Sequence, residues 1–496
     1  MIDGNNLPLI PQSWQWTKFS NIFDIGQGGT PKTSEKDYWS GTIPWLRSGE
    51  IRFNRIKESK ESISELGLQN SPARLLPKGT VMLAMTGQGL TRGRAAILDI
   101  EASGNQSCAH MIPSKNTVIS EYLFYFLWAE YWTVRRFDKG SNQPGLNTAI
   151  IKEFTLPLPP HPEQHRIIAK IEELFTQLDA GVASLKKAQA QLRRYRQAVL
   201  KAAFEGRLTQ EWREEHKGEI EPANLRIFGI EQTSLKERKQ TKSVLLEPID
   251  EKDKENLPES WEISRIGKVV RIIDYRGRTP PYCETGIPHL RSQNIKNGKI
   301  VWQNLAFVSD ETYNQYMTRG LPLKGDILMT TEAPLGEVAL APEQKFSIAQ
   351  RIILLRPFEN FLSPKFLMYQ IKSDFFQNQL NRKGTGTTVT GVSSRNFQPI
   401  LVKIPSLVEQ NQIVDEIERC FSIVDEADKT ITTSLRQSES LRQSILKRAF
   451  EGKLVPQDPA DEPASVLLER IKAEKARQQT TTKTPKTPKR KTKHAP

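Results

Sequence analysis

EQHRIIAKIEELF at residues 163–175 returns as EQNQIVDEIERCF at residues 409–421. In both places the hydrophobic period of the chain changes from two to about three and a half, the mark of a helix paired with another helix. Reading outward, FEGRL (204–208) is matched by FEGKL (450–454), and upstream IPWLRSGEI (43–51) is matched by IPHLRSQNI (287–295). The offset between copies is 244 across the IPxLRS segments and 246 from about residue 145 onward. A correspondence carried in the same order from one half to the other is a tandem duplication. The copies differ most in their globular stretches, which suggests one scaffold carrying two different readers.

Within each copy, apolar or small residues fall in alternating steps of three and four. The first seam runs through Ile171, Leu174, Leu178, Leu185, Leu192 and Val199, and the second through Ile417, Val424, Ile431, Leu441 and Ile445. Cys420 lies on the second seam, where plain packing is its expected role. Such seams predict two long helices joined as an antiparallel coiled coil, because two equal units pair most simply about a twofold axis. Pro162 in the first turn of one helix and the S-x-x-E spacing of Ser406 and Glu409 at the other are start signals. Gly206 and Gly452 suit the left-handed residue that follows a helix end.

Ahead of each seam, short apolar runs broken by Gly, Pro and Asn read as strands, followed by a helical segment at residues 122–137 or 366–380. The fold class expected is α+β, a tandem repeat of two mixed domains separated by the two long helices. The boundaries expected are a first mixed domain at 1–160, a long helix at 161–208 and a polar linker at 209–256. A second mixed domain at 257–405 follows, then a long helix at 406–454, a C-terminal helical segment at 455–480 and a basic tail at 481–496.

The chain has 496 residues and a formal net charge of +14. Six of the basic residues lie in the tail, and residues 209–256 are net acidic, so the folded parts hold an excess of +11. Such an excess attracts phosphate, although charge alone leaves nucleic acid, anionic lipid and acidic protein open. No stretch approaches 18 apolar residues and no leader pattern opens the chain, so the expected location is the cytoplasm and no membrane is involved. The three cysteines, Cys108, Cys283 and Cys420, have no spacing suited to a metal or a disulfide framework.

The order reader, helix, reader, helix closely resembles the specificity subunit of type I restriction-modification systems, over about residues 13–474. The resemblance rests on the paired IPxLRS segments, the P-x-x-x-EQ-x-x-I helix starts, AVLKAAFEGRLTQEWRE (198–214) and ILKRAFEGKLVPQDPADEPASVLLERI (445–471). It implies a chain without catalytic activity of its own, in which each of two target-recognition domains reads one half of a bipartite double-stranded DNA site. It further implies two modification subunits that methylate adenine with S-adenosylmethionine, and restriction subunits that use ATP and Mg2+ for cleavage. No cofactor is expected on this chain itself.

Polar and basic residues on Gly-rich loops are the candidate DNA contacts, since such side chains bond base edges or phosphates. In the first copy they are Arg47, Ser48, Arg92, Arg94, Lys139, Asn142 and Gln143. In the second they are Arg276, Arg278, Arg291, Gln293, Asn294, Lys383, Thr385 and Thr387.

Other motifs read as structural. TPPY (279–282) lacks the acceptor that opens an amino-methyltransferase motif, and no cofactor loop accompanies it, so a turn is expected. His161 and His165 are separated by Pro162 and read as part of a helix start. The tryptophans, among them Trp14, Trp45, Trp132 and Trp302, are expected mainly in the core. Two other function classes stand beside the DNA reader. A solitary adenine-N6 methyltransferase or restriction nuclease would act without a partner, and a coiled-coil scaffold would bind no DNA.

Overall fold

The computed structural model describes residues 7–87, 89–113, 117–136, 146–220, 249–254, 257–275, 277, 279–358, 361–384 and 391–481. They fall into two compact units, one built from residues 1–185 and 433–496, the other from residues 186–432. Each long helix is continuous for 44 residues, His161–Phe204 and Leu407–Phe450. Each contributes one half to each unit.

The two readers share a topology. In the first, strands order as Phe23–Gln27, Cys108–Pro113, Val81–Ala84, Ala95–Leu98 and Asn54–Ile56. In the second, the corresponding sheet runs Val270–Asp274, Ile352–Pro357, Ile327–Thr330 and Val338–Leu340. A two-stranded antiparallel closure joins the two ends of each reader, Gln15–Lys18 with Thr155–Leu158 and Glu262–Arg265 with Leu401–Ile404. The helical segment after the sheet is two helices in each copy, Ser120–Ala129 with Tyr131–Arg136 and Pro364–Ile371 with Asp374–Lys383.

In each unit the helix halves run antiparallel. In the first, Asp179 pairs with Arg442, and Arg166 with Asp461 beyond the end of the other helix. In the second, Gln189 bonds Asp428 while Arg196 pairs with Asp425. Partner numbers fall as helix numbers rise in both.

On the first helix the expected seam is buried near the ends and half-buried between them, and on the second it is buried through the middle. Ile171, Val199, Ile417, Val424, Ile431 and Ile445 are buried, whereas Leu174, Leu178, Leu185 and Leu192 are half-buried. Leu441 departs from the expectation and is 51% exposed. The neighbouring Arg442 takes the inward place, with its guanidinium 4.3 Å from the centroid of Phe175 and 5.6 Å from that of Trp128. Near the ends the buried face widens to Ile167, Ile168, Leu200 and Phe204, since those turns also pack on a reader.

The helix starts anchor the readers. Gln164 donates to the carbonyls of Thr117 and Pro159 and accepts from the Ile119 amide, and Gln410 makes the same three bonds to Phe361, Pro405 and Ser363. Ser406 accepts from the Glu409 amide as the capping spacing predicts. The Glu409 carboxylate, however, does not turn back to close a box. It is fully buried and accepts from Thr209 Oγ1 and Arg213 Nε at 2.9 Å each. Residues 209–215 are thus packed on the second unit, and the segment expected as polar linker begins as ordered structure. Residues 221–248 and the tail from 482 lie outside the described residues.

Both helices stop on a left-handed glycine, Gly206 with φ +74° and Gly452 with φ +69°. The amides two positions past the last helical turn bond back across it, Arg207 to Ala202 and Lys453 to Arg448, the closure that such a glycine permits. The tail helix, expected near residues 461–475, spans Ala464–Thr481, and Ala464, Leu467 and Ile471 join the core of the first unit.

Trp14, Trp45 and Trp261 are core residues as expected, but Trp132 and Trp302 are 55% and 40% exposed. Trp132 keeps one face on the Arg135 guanidinium.

Candidate nucleic-acid interface

Each reader carries a second, three-stranded sheet whose central strand ends in the IPxLRS segment. Trp39–Leu46 pairs in parallel with Ser103–Gly104, and Ile287–Leu290 pairs in parallel with Ser347–Ile348. Parallel partners end at the same edge, so the loops that follow them emerge side by side. In the first unit those loops carry Arg47 and Ser48 on one side, and Gln106 and Ser107 on the other. In the second they carry Arg291, Ser292 and Gln293 beside Gln350 and Arg351.

A Thr-Pro turn completes the cluster in both copies. In the first, Thr30 donates its hydroxyl to Gln106 Oε1, and the Gly29 amide bonds the Gly104 carbonyl at 2.9 Å. Trp45 fills the space beneath and donates to the Gly29 carbonyl at 2.9 Å. In the second unit His289 stands at the position of Trp45. A smaller ring leaves a cavity of about 290 Å³, lined among others by Thr279, Tyr282, Arg291, Gln293, Gln350 and Arg351.

His289 is fully buried. Its Nδ1 lies 2.8 Å from Ser347 Oγ, while Nε2 has no partner. Burial, reinforced by the nearby Arg291 charge, lowers its pKa to about 4, so the ring is neutral near pH 7. The Arg291 Nε is likewise buried and unpartnered, although its Nη2 donates to the Asn304 carbonyl at 2.9 Å. Arg47 at the matching place is held by Glu61 at 2.7 Å.

The structure separates the sequence candidates. Arg291 and Gln293 line one cavity, and Arg47 and Ser48 occupy the matching edge of the other copy. Asn294 departs from the expectation: it is buried, its side-chain amide donates to Val301 and Gln303, and its oxygen accepts from the Arg291 amide. Glu50 closes the same turn in the first copy by accepting from the Arg47 amide at 2.9 Å, so this position braces the loop from within.

Arg92 and Arg94 lie on a separate Gly-rich turn. Arg92 donates to the Arg135 carbonyl, and Arg135 in turn donates to the carbonyls of Arg92 and Gly89, which latches the turn to the helix Tyr131–Arg136. Lys383 is exposed at the end of the helix Asp374–Lys383. Lys139, Asn142, Gln143, Arg276, Arg278, Thr385 and Thr387 lie outside the described residues.

Sequence reading missed Gln106, Gln350 and Arg351, and it treated Thr279 and Tyr282 only as a turn. Gln106 and Gln350 do stand at the 244-residue offset, so the repeat itself held the signal. Among the described residues no group of three or more His, Cys, Asp or Glu is placed to hold a metal ion. Among them, too, no helix is long and apolar enough to cross a membrane.

The family described as the type I restriction modification DNA specificity domain matches the chain twice, at residues 11–192 and 258–437. The specificity subunit of the type I restriction enzyme EcoKI from Escherichia coli K12 is 24% identical, with 94% of this chain and 96% of that protein covered. The EcoBI specificity subunit from Escherichia coli is 28% identical over 67% of this chain and 66% of that protein. Among solved structures, a chain from a study of complex assembly and conformational transition in the type I restriction-modification system superposes with a TM-score of 0.66 at 19% identity. That match covers 90% of this chain and all of the other. With two copies of the domain matched, this chain belongs to the type I restriction-modification DNA specificity family, the specificity subunits of type I restriction enzymes.

Proposed function

We propose that each reader binds one half of a bipartite duplex DNA target and that the antiparallel helices set the gap between the halves. The observation that carries this reading is the duplication of the three-loop edge: the same scaffold presents Arg-Ser and Gln side chains in both units, with different neighbours around them. Two half-sites read by one protein must keep a fixed helical phase, and a continuous 44-residue helix, about 66 Å long at 1.5 Å per residue, supplies a stiff spacer.

On this reading the chain works in the cytoplasm as a subunit without chemistry of its own. Two modification subunits dock on it and methylate adenine with S-adenosylmethionine, and restriction subunits with ATP and Mg2+ join for cleavage. The excess positive charge of the folded parts draws the duplex in, and binding weakens as salt rises.

The test is insertion of one heptad into the middle of both long helices, followed by mapping of methylated sites. Seven residues add about 10 Å, or about three base pairs of duplex, to the gap. An unchanged gap in an active variant would remove the spacer role. Substantial methyl transfer by the purified chain alone would contradict the assignment to a non-catalytic subunit.

A further inference from the structure

Aligning the two three-loop edges divides their residues into a shared set and a divergent set. The shared positions are Thr30 and Thr279, Arg47 and Arg291, and Gln106 and Gln350. The divergent positions are Gly49 against Gln293, Ser107 against Arg351, and Thr33 against Tyr282. In the second unit Gln293, Arg351 and Tyr282 are all exposed and line the same cavity. We infer that Gln293 and Arg351 read base-pair edges of the half-site bound by the second reader, and that the shared Thr, Arg and Gln positions hold the duplex in both readers. The inference rests on the DNA-reading function proposed above.

Three observations support it. First, the divergent residues have the right chemistry: a Gln amide matches the paired donor and acceptor of adenine, and an Arg fork matches the two acceptors of guanine in the major groove. Gly49 and Ser107 can do neither, so the two readers present different patterns on one frame. Second, the cavity is polar and incomplete. His289 Nε2 and Arg291 Nε are buried without partners, an arrangement that native proteins rarely keep unless a ligand or water supplies the missing bonds. Third, Arg351 is held in place but reachable, with its Nε 3.2 Å from Glu332 and its side chain 52% exposed. An exposed pair of this kind is weak and exchanges readily for a base-edge contact.

The experiment is to express the full chain with its modification partners and map methylated sequences for the unaltered protein, for Q293G/R351S and for Q350A. The double variant installs the residues that the first reader carries. Its expected effect is degeneracy at one or two base pairs of one half-site, a loss of preference of about 10- to 100-fold there, with the other half-site unchanged. Q350A lowers methylation evenly at all sites without changing the sequence. A folded double variant that keeps both half-sites intact overturns the inference, and so does an even loss of methylation without relaxed sequence, which would make the divergent pair mere anchors. Thermal melting checks folding. Should the double variant fail to fold, S107R in the first reader takes its place, and an unaltered first half-site then overturns the inference. If the unaltered complex yields no split methylated sequence at all, the DNA-reading function itself fails, an outcome separate from all of these.

Discussion

The Arg442 guanidinium lies over Phe175 and pairs with Asp179, and Arg196 stands in the same relation to Phe421 and Asp425. All three residues recur at the 246-residue offset, so one clasp between antiparallel helix halves has been duplicated with the fold. Its strength comes mainly from stacking. Asp179 and Asp425 are both more than half exposed, where water screens the ion pair. Arg442 is therefore expected to contribute about 1–2 kcal/mol through its aromatic contacts. R442A should lose about that much in urea unfolding, R442K most of it, and D179A well under 1 kcal/mol. An equal cost for D179A and R442A would mean that charge, not stacking, holds the clasp.

Glu409 makes the opposite kind of contact. Its carboxylate is fully buried, with Arg213 only 17% exposed against it. Removing one partner strands the other charge, so E409A and R213A should each cost about 3–5 kcal/mol. E409Q keeps an oxygen for Thr209 and Arg213 and should cost clearly less. Equilibrium unfolding followed by tryptophan fluorescence reads the difference, because Trp261 lies 5.8 Å under the Arg213 guanidinium.

The helix-end glycines carry two constraints at once. A Cβ on Gly452 would lie 2.3 Å from Pro11 Cγ, and a Cβ on Gly206 would lie 2.3 Å from Pro258 Cγ. Left-handed backbone costs a side chain about 1–2 kcal/mol, and the overlap adds about 1–3 kcal/mol. G452A is thus expected to lose about 2–5 kcal/mol, and P11A should relieve only the overlap. A double-mutant cycle measures that relief as a coupling energy; additivity would show that the proline does not confine the glycine.

His110 and His289 make stability depend on acid. Burial holds both near pKa 4, against about 6.5 in an unfolded chain. The unfolded state therefore binds protons first as pH falls, so stability is complete above pH 6.5 and is lost progressively down to pH 4. Each ring accounts for about 3 kcal/mol across that window. In H289Q the drop between pH 6.5 and 4 should shrink by about that amount, as read from urea midpoints at a series of pH values. A variant that loses stability over this window as steeply as the unaltered chain would contradict neutral burial of the ring.

Much of the architecture was written along the chain. The repeat offset, the change of period at Glu163 and Glu409, the proline and serine starts and the glycine stops are local signals, and the elements follow them closely. Helix period and capping depend on neighbours within a few residues, which is why they can be read in order. Leu441 and Asn294 could not be read this way. Whether Leu441 or Arg442 turns inward depends on Phe175 and Trp128, far away in sequence, and Asn294 is consumed by carbonyls that only the folded loop brings to it.

By itself, then, the sequence determined a duplicated reader-and-helix scaffold, because periodicity and capping are properties of contiguous residues. Tertiary structure alone decided which side chains share an edge. Parallel pairing of Ile287–Leu290 with Ser347–Ile348 sets Gln350 and Arg351 beside Arg291 and Gln293, and the exchange of a Trp for His289 opens the cavity between them. Such a juxtaposition is made by hydrogen bonds between distant strands and by ring volume in a packed layer, and neither leaves a local trace in the chain.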